Sequence, residues 1–343
     1  MTNIDCKFEF LPTIVGSMPL KDASQACALV ARYLKDIPAW PQLPKRSPRE
    51  NMYVQYSEGF PGAKVEGSKV TVDRTKDLTG ALEKFYTAYL ANDFNKYAIS
   101  ADYAAGLHRF LKLDNLAAQA VKGQVTGPVS WGMIVTDETG KPIIYDDTFA
   151  DVVPKFLRLK ATWMEKVLQG LNKRTIVFLD EPSMTTFGSV GMQLTRQQVI
   201  GFFNETLAGI SGIKGIHCCG NTDWSILLST ATDIISIDAY DNAASLAIYP
   251  EEVKKLYDRG GAVAWGIVPT NNHDIANESV ASLKDRLEEA IMPFTRHGIP
   301  LEQILKQGLV MPACGLPSVT EPAAERALEL LTGLSQAIRS KYL

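Results

Sequence analysis

The sequence predicts an α/β protein that folds as a (βα)8 TIM barrel, with an N-terminal extension and loops at its rim. Strand-like apolar runs alternate with amphipathic helices along the whole chain, and eight such strands can be counted. A chain of 343 residues is long enough for one large barrel. Since no linker-like stretch divides it, we expect one domain over residues 1–343.

Composition excludes several classes of protein. Hydrophobic residues make up 46% of the chain, and a net charge of −3 without a basic stripe argues against a nucleic-acid partner. Residues 1–7 lack the apolar core of a signal peptide, and no apolar run reaches the roughly 18 residues that a membrane span needs. Five cysteines, an odd number with two adjacent, are typical of reduced thiols. We therefore expect a cytoplasmic protein that does not bind membranes.

The first strand is predicted at residues 10–15, before a tight turn at Gly16 and Ser17. Glycine allows close backbone approach, and a serine hydroxyl beside exposed N–H groups suits a carboxylate. A turn that merely ends the strand is the alternative. A helix follows at residues 22–35, where apolar residues recur at helical spacing.

A proline-rich segment, residues 37–48, carries four prolines and contains Trp40. Proline removes a backbone donor, so we expect an ordered loop that is neither helix nor sheet interior, placed at the rim or packed on the barrel. Residues 51–56 read as a short strand. Amphipathic helices are predicted at residues 78–97 and 101–113.

Two acids close one of the central strands. The strand at residues 118–125 is followed by a long helix at 149–171 and a strand at 175–179, which ends at Asp180 and Glu181. Carboxylates at a strand end are expensive to bury unless they bind something cationic or hydrogen-bonded. Capping of a following helix is the alternative.

The second half continues the alternation. Helices are predicted at residues 196–210, 278–297 and 321–341, and strands at 215–219, 233–238, 261–268 and 309–313. Three of these strands end at a residue that could bind a metal: Cys219, Asp238 and Cys314. A barrel keeps its chemistry at the carboxyl ends of its strands.

The run from Gly215 to Asn221 contains the sequence His217-Cys218-Cys219. Side chains alternate along a strand, so His217 and Cys219 point one way and Cys218 points the other. Zinc prefers nitrogen and sulfur ligands in tetrahedral geometry. The pair alone is half a site and is equally consistent with a structural role; Cys314, at another strand end, favours metal binding.

Together these motifs resemble a known family. Ile14-Val15-Gly16-Ser17, Thr126-Gly127-Pro128-Val129, Asp180-Glu181-Pro182, His217-Cys218-Cys219, Ile235-Ser236-Ile237-Asp238 and Cys314-Gly315-Leu316 stand in the order seen in the C-terminal catalytic barrel of cobalamin-independent methionine synthase. The similarity extends over nearly the whole chain. That family belongs to a superfamily with uroporphyrinogen decarboxylase and the zinc-dependent corrinoid methyltransferases.

The resemblance implies a zinc-dependent methyltransferase that makes methionine from homocysteine. Zinc would be held by His217, Cys219 and Cys314, with Asp238 where the synthases carry a glutamate. The carboxylate of homocysteine would lie at Ser17 and its ammonium at Asp180. The resemblance thus implies four catalytic residues, Asp180 and the zinc ligands His217, Cys219 and Cys314.

A second family carboxylate for the ammonium falls near Gln55, which is neutral in this chain. The resemblance therefore leaves the second ammonium partner to Glu58 or Glu181. A coordinated substrate thiol would be deprotonated and could attack a methyl group.

The methyl donor follows from two departures from the family. Asn271 stands nearest to the place of a donor-side histidine, and Ile134 falls near that of a tryptophan, with Trp131 close by. Folate chemistry needs a general acid at the leaving nitrogen, whereas a corrinoid leaving group does not. The sequence is therefore similar to single-barrel core methionine synthases, whose donor would be methylcobalamin, not tightly bound, or a methylated corrinoid protein.

Four alternatives remain. His273 could supply an acid for folate chemistry, and the thiol could be another one, such as coenzyme M, although Asp180 argues for an ammonium. A porphyrinogen decarboxylase would need no zinc. Outside the enzymes, the barrel could be a zinc or methionine-pathway sensor.

Overall fold

The computed structural model describes residues 7–113, 116–171 and 174–343. Residues 1–6, which begin the predicted N-terminal extension and include Cys6, lie outside the described residues. The strands are β1 (Leu11–Pro12), β2 (Ala63–Glu66), β3 (Lys69–Val72), β4 (Ala120–Thr126), β5 (Thr136–Asp137), β6 (Arg174–Asp180), β7 (Ile213–Cys218), β8 (Ile234–Asp238), β9 (Ala262–Val268) and β10 (Leu309–Pro312).

Seven of these strands form one curled parallel sheet in the order β1-β10-β9-β8-β7-β6-β4. Each is followed by helices that cover the outside of the sheet. The helices are α1 (Ala23–Tyr33), α2 (Met52–Gln55), α3 (Thr79–Leu90), α4 (Ala105–Phe110), α5 (Pro128–Ile134), α6 (Asp147–Gln169), α7 (Arg196–Leu207), α8 (Trp224–Leu228), α9 (Ala243–Leu246), α10 (Pro250–Asp258), α11 (Asn272–Asn277), α12 (Val280–Arg296), α13 (Leu301–Gln307) and α14 (Glu321–Tyr342). This architecture confirms the predicted TIM-barrel-like α/β fold.

The proline-rich segment is an ordered loop outside the named strands, as the sequence predicted, and it bridges the open edges of the sheet. On one side, Lys122 N donates to Pro38 O at 2.9 Å and Trp40 N donates to Lys122 O at 3.3 Å. On the other side, Gln42 N donates to Gly16 O at 2.9 Å. Residues 38–42 therefore occupy the eighth position, between β1 and β4, with isolated parallel bridges instead of a continuous ladder.

The strand predicted at residues 51–56 is wrong, because this run forms α2. The Asn51 side chain accepts a hydrogen bond from Tyr53 N and so begins a helical turn. A short apolar run does not distinguish a strand from a buried helical turn. One predicted helix is interrupted, because residues 78–97 divide into α3 and a 3₁₀ turn at Phe94–Tyr97, whereas the helix predicted at 278–297 is continuous over Val280–Arg296.

A second, small sheet was not predicted. It consists of the antiparallel pair β2 and β3 with β5 parallel to β3. Arg74, which follows β3, pairs with Asp137 of β5 at 2.7 Å within this sheet and with Asp146 at the start of α6 at 2.9 Å. None of the described helices is long and apolar enough to cross a membrane.

The barrel strands separate two apolar cores by the alternation of their side chains. The inner cluster is buried inside the sheet and comprises Phe8, Leu11, Val15, Ile37, Ala120, Ile176, Phe178, Ile213, Ile234, Ala262, Ala264, Leu309 and Met311. The outer core lies between the sheet and the helices and includes Val121, Val177 and Ile216. Residues at the inward positions near the carboxyl ends of the strands therefore face the mouth of the barrel.

Gly215 makes room in this interior for a neighbouring aromatic ring. A β-carbon at Gly215 would lie 2.1 Å from two ring carbons of Phe178 on the adjacent strand. Because interiors are close-packed, the ring has little space to move. Only glycine fits beneath His217 on this strand.

We expect Gly215→Ala to lower the free energy of unfolding by roughly 1–3 kcal/mol, since overpacking forces side chains off their rotamers. Urea denaturation monitored by circular dichroism would measure it. Gly201→Ala is the control: Gly201 is exposed in α7 with nothing within 4 Å of its added β-carbon, and we expect stabilisation of up to about 1 kcal/mol. Equal effects of the two changes would contradict the packing argument.

Candidate metal centre and substrate site

Three side chains that could bind a metal converge at the mouth of the barrel. Ligand atoms of His217, Cys219 and Cys314 all lie within 4.8 Å of one another. His217 is on β7 and Cys219 follows that strand, whereas Cys314 follows β10, three strands further round the sheet. One nitrogen and two sulfur donors match the preference of zinc, and a catalytic zinc site typically has three protein ligands.

The histidine is held in the orientation and tautomer that metal binding requires. Ser236 Oγ donates to Met311 Sδ at 3.6 Å and lies 3.0 Å from His217 Nδ1. In the tautomer with a proton on Nδ1, this ring nitrogen donates to the serine oxygen, whose own proton is directed to sulfur. Nε2 then carries a lone pair, and it is buried without a hydrogen-bond partner among the described residues. An outer hydrogen bond to Nδ1 is the usual arrangement of a metal-binding histidine.

The thiols of Cys219 and Cys314 lie close together, within 4.8 Å. The Cys314 thiol donates to Cys219, which is the main reason that the pKa of Cys219 falls to about 4, with His217 lowering it further. For the same reason the pKa of Cys314 rises above its usual range. A thiolate is the form of cysteine that binds metals.

Cys218 differs from both neighbours. Its side chain is fully buried in the outer core, on the other face of β7, and burial raises the pKa of its thiol to about 12. The alternation along the strand therefore separates one adjacent cysteine from the other.

Asp238 does not join this cluster, so the expected fourth metal ligand is corrected. Its Oδ1 accepts hydrogen bonds from Tyr240 N and Asp241 N, both at 3.0 Å, and its Oδ2 accepts one from Asn242 Nδ2 at 2.8 Å. The shorter aspartate side chain closes the turn after β8. The fit to a metal therefore rests on His217, Cys219 and Cys314.

Asp180 lies beside the cluster, paired with His217 in the register of β6 and β7. It is 6% exposed, and its Oδ1 has no hydrogen-bond partner within the part of the chain that the structure describes. Burial raises the pKa of Asp180 to about 6, and the nearby His217 and Lys122 act in the opposite direction. A buried carboxylate oxygen without a partner is a ready acceptor for a cationic ligand group.

Glu181 and Gln55 are fully buried, and the side chain of each forms hydrogen bonds within the protein. Glu181 accepts hydrogen bonds from Val129 N at 3.0 Å and from Ser130 N at 2.8 Å, at the start of α5. Gln55 accepts from Gln42 and donates to Tyr103 O, both at 2.6 Å. The structure therefore does not present either residue as a free substrate contact.

Ser17 lies close to the cluster, because its turn contacts the residues that follow Cys314 after β10. Leu316 N donates to Ser17 O at 2.8 Å, and a β-carbon on Gly315 would lie 3.4 Å from Ser17 Oγ. The hydroxyl donates to Gln42 Oε1 at 3.2 Å. The turn after β1 and the residue after Cys314 thus line one corner of the mouth.

Sequence reasoning missed Ser236, Gln42 and Lys122. A signal existed for Ser236, since it is the polar residue of an apolar strand at the same inward parity as Asp238. No signal pointed to Gln42, because its role depends on the bridging segment. Lys122 is fully buried, and its Nζ donates to Val15 O at 2.8 Å and lies 4.5 Å from the Phe178 ring centroid.

The residues considered for the methyl-donor side are placed as follows. Trp131 is buried, with its Nε1 donating to Tyr53 O, and Trp40 is buried in the outer core. Asn271 caps α11 by accepting from Asp274 N, and His273 is exposed on that helix. The two tryptophans therefore serve packing, and Asn271 serves a helix end.

Comparisons with known proteins place this fold. Neither a protein-family model nor a curated protein sequence matches the chain. Among solved structures, a B12-independent methionine synthase from Shewanella, in complex with selenomethionine, is similar at 14% identity and TM-score 0.61, over 97% of this chain and 98% of that chain. A putative vitamin-B12 independent methionine synthase from Listeria monocytogenes is similar at 14% identity and TM-score 0.58, over 96% of this chain and 98% of that chain.

A methyltransferase from Methanosarcina mazei is also similar, at 12% identity and TM-score 0.53, over 94% of this chain and 86% of that chain. At such low identity the likeness shows the fold. The chain therefore has the barrel fold of core methionine synthases and related methyltransferases over nearly its full length.

We expect Cys219→Ser and Cys314→Ser each to weaken zinc binding by more than ~100-fold, because the loss of a direct ligand exceeds the loss of an outer partner. Competition with a chromophoric chelator would measure the affinity. Cys218→Ser is the matched control and should leave zinc affinity within about twofold. A greater loss for Cys218→Ser would contradict the assignment of strand faces.

Ser236→Ala should weaken zinc binding about 10–100-fold, because the His217 ring loses the partner that fixes its tautomer. The same chelator competition applies. Ser335→Ala is the control, since Ser335 is a buried serine whose hydroxyl donates to Phe10 O at 2.7 Å in a different part of the fold. If both changes lower stability and neither changes zinc affinity, the role given to Ser236 is wrong.

Proposed function

We propose that this chain is a zinc-dependent thiol S-methyltransferase that makes methionine by methyl transfer to homocysteine, within a single catalytic barrel spanning residues 1–343. The observation that carries the proposal is the meeting of an imidazole nitrogen and two thiols within 4.8 Å, beside a buried carboxylate oxygen that has no hydrogen-bond partner among the described residues. A thiol ligand and an ammonium ligand fit these two features. Homocysteine has both groups.

His217, Cys219 and Cys314 would hold the metal, with one coordination position left for a substrate thiol. Zinc bound there would supply a deprotonated, nucleophilic thiolate at neutral pH. Two cysteine thiolates offset the charge of the divalent ion. Ser236 keeps the imidazole directed at the site by holding Nδ1.

Asp180 would bind the ammonium group of homocysteine, and the Gly16–Ser17 turn would bind its carboxylate. Asp180 is adjacent to His217 in the sheet, so an ammonium held there brings the thiol of the same small molecule to the metal ligands. Fixing the substrate at both ends orients the sulfur for attack. The selenomethionine complex of the Shewanella structure supports an amino acid of this kind as a ligand of this fold.

The methyl donor that we propose is methylcobalamin or a methylated corrinoid protein, not tightly bound. A folate donor needs a general acid to protonate its leaving nitrogen. Asn271 cannot supply that proton, and its side chain is already bonded to Asp274. Trp131 is buried in the outer core.

Methionine formation from homocysteine tests the proposal when methylcobalamin and methyltetrahydrofolate are offered separately. We expect product with the corrinoid donor and not with the folate. Product with folate alone would overturn the choice of donor. A zinc-loaded protein that forms no methionine with either donor would overturn the function.

Asp180→Asn should raise KM for homocysteine about 10–100-fold, because a hydrogen bond to a charged group is replaced by one to a neutral amide. Steady-state kinetics would measure KM, and metal analysis would measure bound zinc. The zinc content should stay unchanged, since Asp180 is outside the three-residue cluster. Loss of zinc in this variant would contradict the role of Asp180 as a substrate contact.

A further inference from the structure

Gln124 lies in the barrel interior, two residues further from the carboxyl end of its strand than the residue that pairs with Asp180. It is on β4, where it pairs with Phe178 of β6, while Thr126 pairs with Asp180. Phe178 belongs to the inner cluster, so Gln124 faces inward as well. The side chain is fully buried.

The orientation of the Gln124 carboxamide is fixed by one hydrogen bond. Its Nε2 donates to Trp40 O at 3.2 Å, and the reversed amide would bring two oxygens together. Its Oε1 is buried and has no hydrogen-bond partner in residues 7–113, 116–171 and 174–343. A buried acceptor in this state costs free energy that a ligand donor would recover.

The carboxamide also lies against the turn that we assign to the substrate carboxylate. Gly16 has φ +145°, and a β-carbon there would lie 2.1 Å from Gln124 Nε2 and 2.9 Å from Oε1. Gln124 is thus adjacent to the residue before Ser17, while Asp180 is on the neighbouring strand. The α-carbon of an amino acid carries its carboxylate and ammonium together, so both features belong to one subsite.

The other acceptors considered for a second ammonium contact are already bonded. Gln55 Oε1 accepts from Gln42, and both oxygens of Glu181 accept from the start of α5. Glu58 Oε2 accepts from Ser100 N at 2.8 Å. Gln124 Oε1, like Asp180 Oδ1, has no such bond within the described chain.

We propose that Gln124 is a substrate-binding residue that determines specificity for thiols carrying an α-ammonium group. Its Oε1 accepts one hydrogen bond from the ammonium while Asp180 accepts another. An ammonium has three donors to satisfy, and a neutral amide supplies the second acceptor without placing a like charge beside Asp180. This inference rests on the proposed function, because it refines the amino-acid subsite of that reaction.

The test compares two thiols that differ only in the ammonium: L-homocysteine and 4-mercaptobutanoate. Calorimetric titration of the zinc-loaded protein measures binding without a methyl donor, and KM and kcat are measured alongside. We expect Gln124→Met to weaken homocysteine binding at least about tenfold and to leave the binding of 4-mercaptobutanoate within about twofold.

Gln307→Met is the matched control. Gln307 is also a buried glutamine whose Nε2 donates to a backbone carbonyl, Tyr257 O at 3.3 Å, and whose Oε1 has no partner in the described chain. It precedes β10 and so lies at the opposite end of that strand from Cys314. This change should lower stability as much as Gln124→Met and leave the binding of both thiols unchanged.

Equal weakening of both thiols by Gln124→Met would show a purely structural role and overturn the inference. Binding of neither thiol by the unaltered protein would contradict the proposed function, and the inference with it. Homocysteine binding that Gln124→Met leaves intact would overturn the inference alone.

Discussion

The candidate site depends on the alternation of side chains along β7. Inward positions on this strand carry Ile213, Gly215 and His217 in turn, and Cys219 continues the series beyond its end. The lower positions close the barrel with apolar contacts, and the upper ones bring ligands to the mouth. A shift of one residue in register would turn Cys218 inward and bury His217 and Cys219 against the helices. The packing of Phe178 over Gly215 therefore helps to set the same register that assembles the candidate metal cluster.

The buried Asp180 carboxylate lies above the inner cluster, and the positive charge of Lys122 inside the barrel compensates its negative charge. Burial lowers the pKa of Lys122 to about 8, and the facing Asp180 carboxylate opposes that shift. The ammonium donates to Val15 O and lies over the Phe178 ring, so its position is fixed without a direct ion pair to Asp180. Asp180 thus keeps an oxygen free of protein partners while a cation stands nearby. An ion pair with Lys122 would occupy the Asp180 oxygen that a ligand needs.

The sequence predicted the parts of the fold whose pattern is local. Strand parity separated Cys219 from Cys218, and the order of strand-ending motifs brought Cys314 to the metal cluster. The eighth position of the barrel was not predictable in this way, because prolines at 38 and 41 argue against a strand. The structure resolves this conflict by using only selected groups: Trp40 and Gln42 donate their N–H groups to opposite neighbours, and Pro38 contributes its carbonyl. A segment that closes the barrel with a few isolated backbone hydrogen bonds tolerates proline, whereas a continuous strand ladder does not.

Strand-ending polar residues could not be divided into structural and functional ones from the sequence alone. Asp180, Glu181 and Asp238 all follow apolar strands, yet Glu181 and Asp238 satisfy the backbone at the start of a helix or turn. The distinction lies in which polar atoms remain without partners once the chain has folded. His217 Nε2, Asp180 Oδ1 and Gln124 Oε1 remain so among the described residues of this mouth. Because burying such atoms is costly, their persistence together in one place is a stronger indication of a ligand than the residue types themselves.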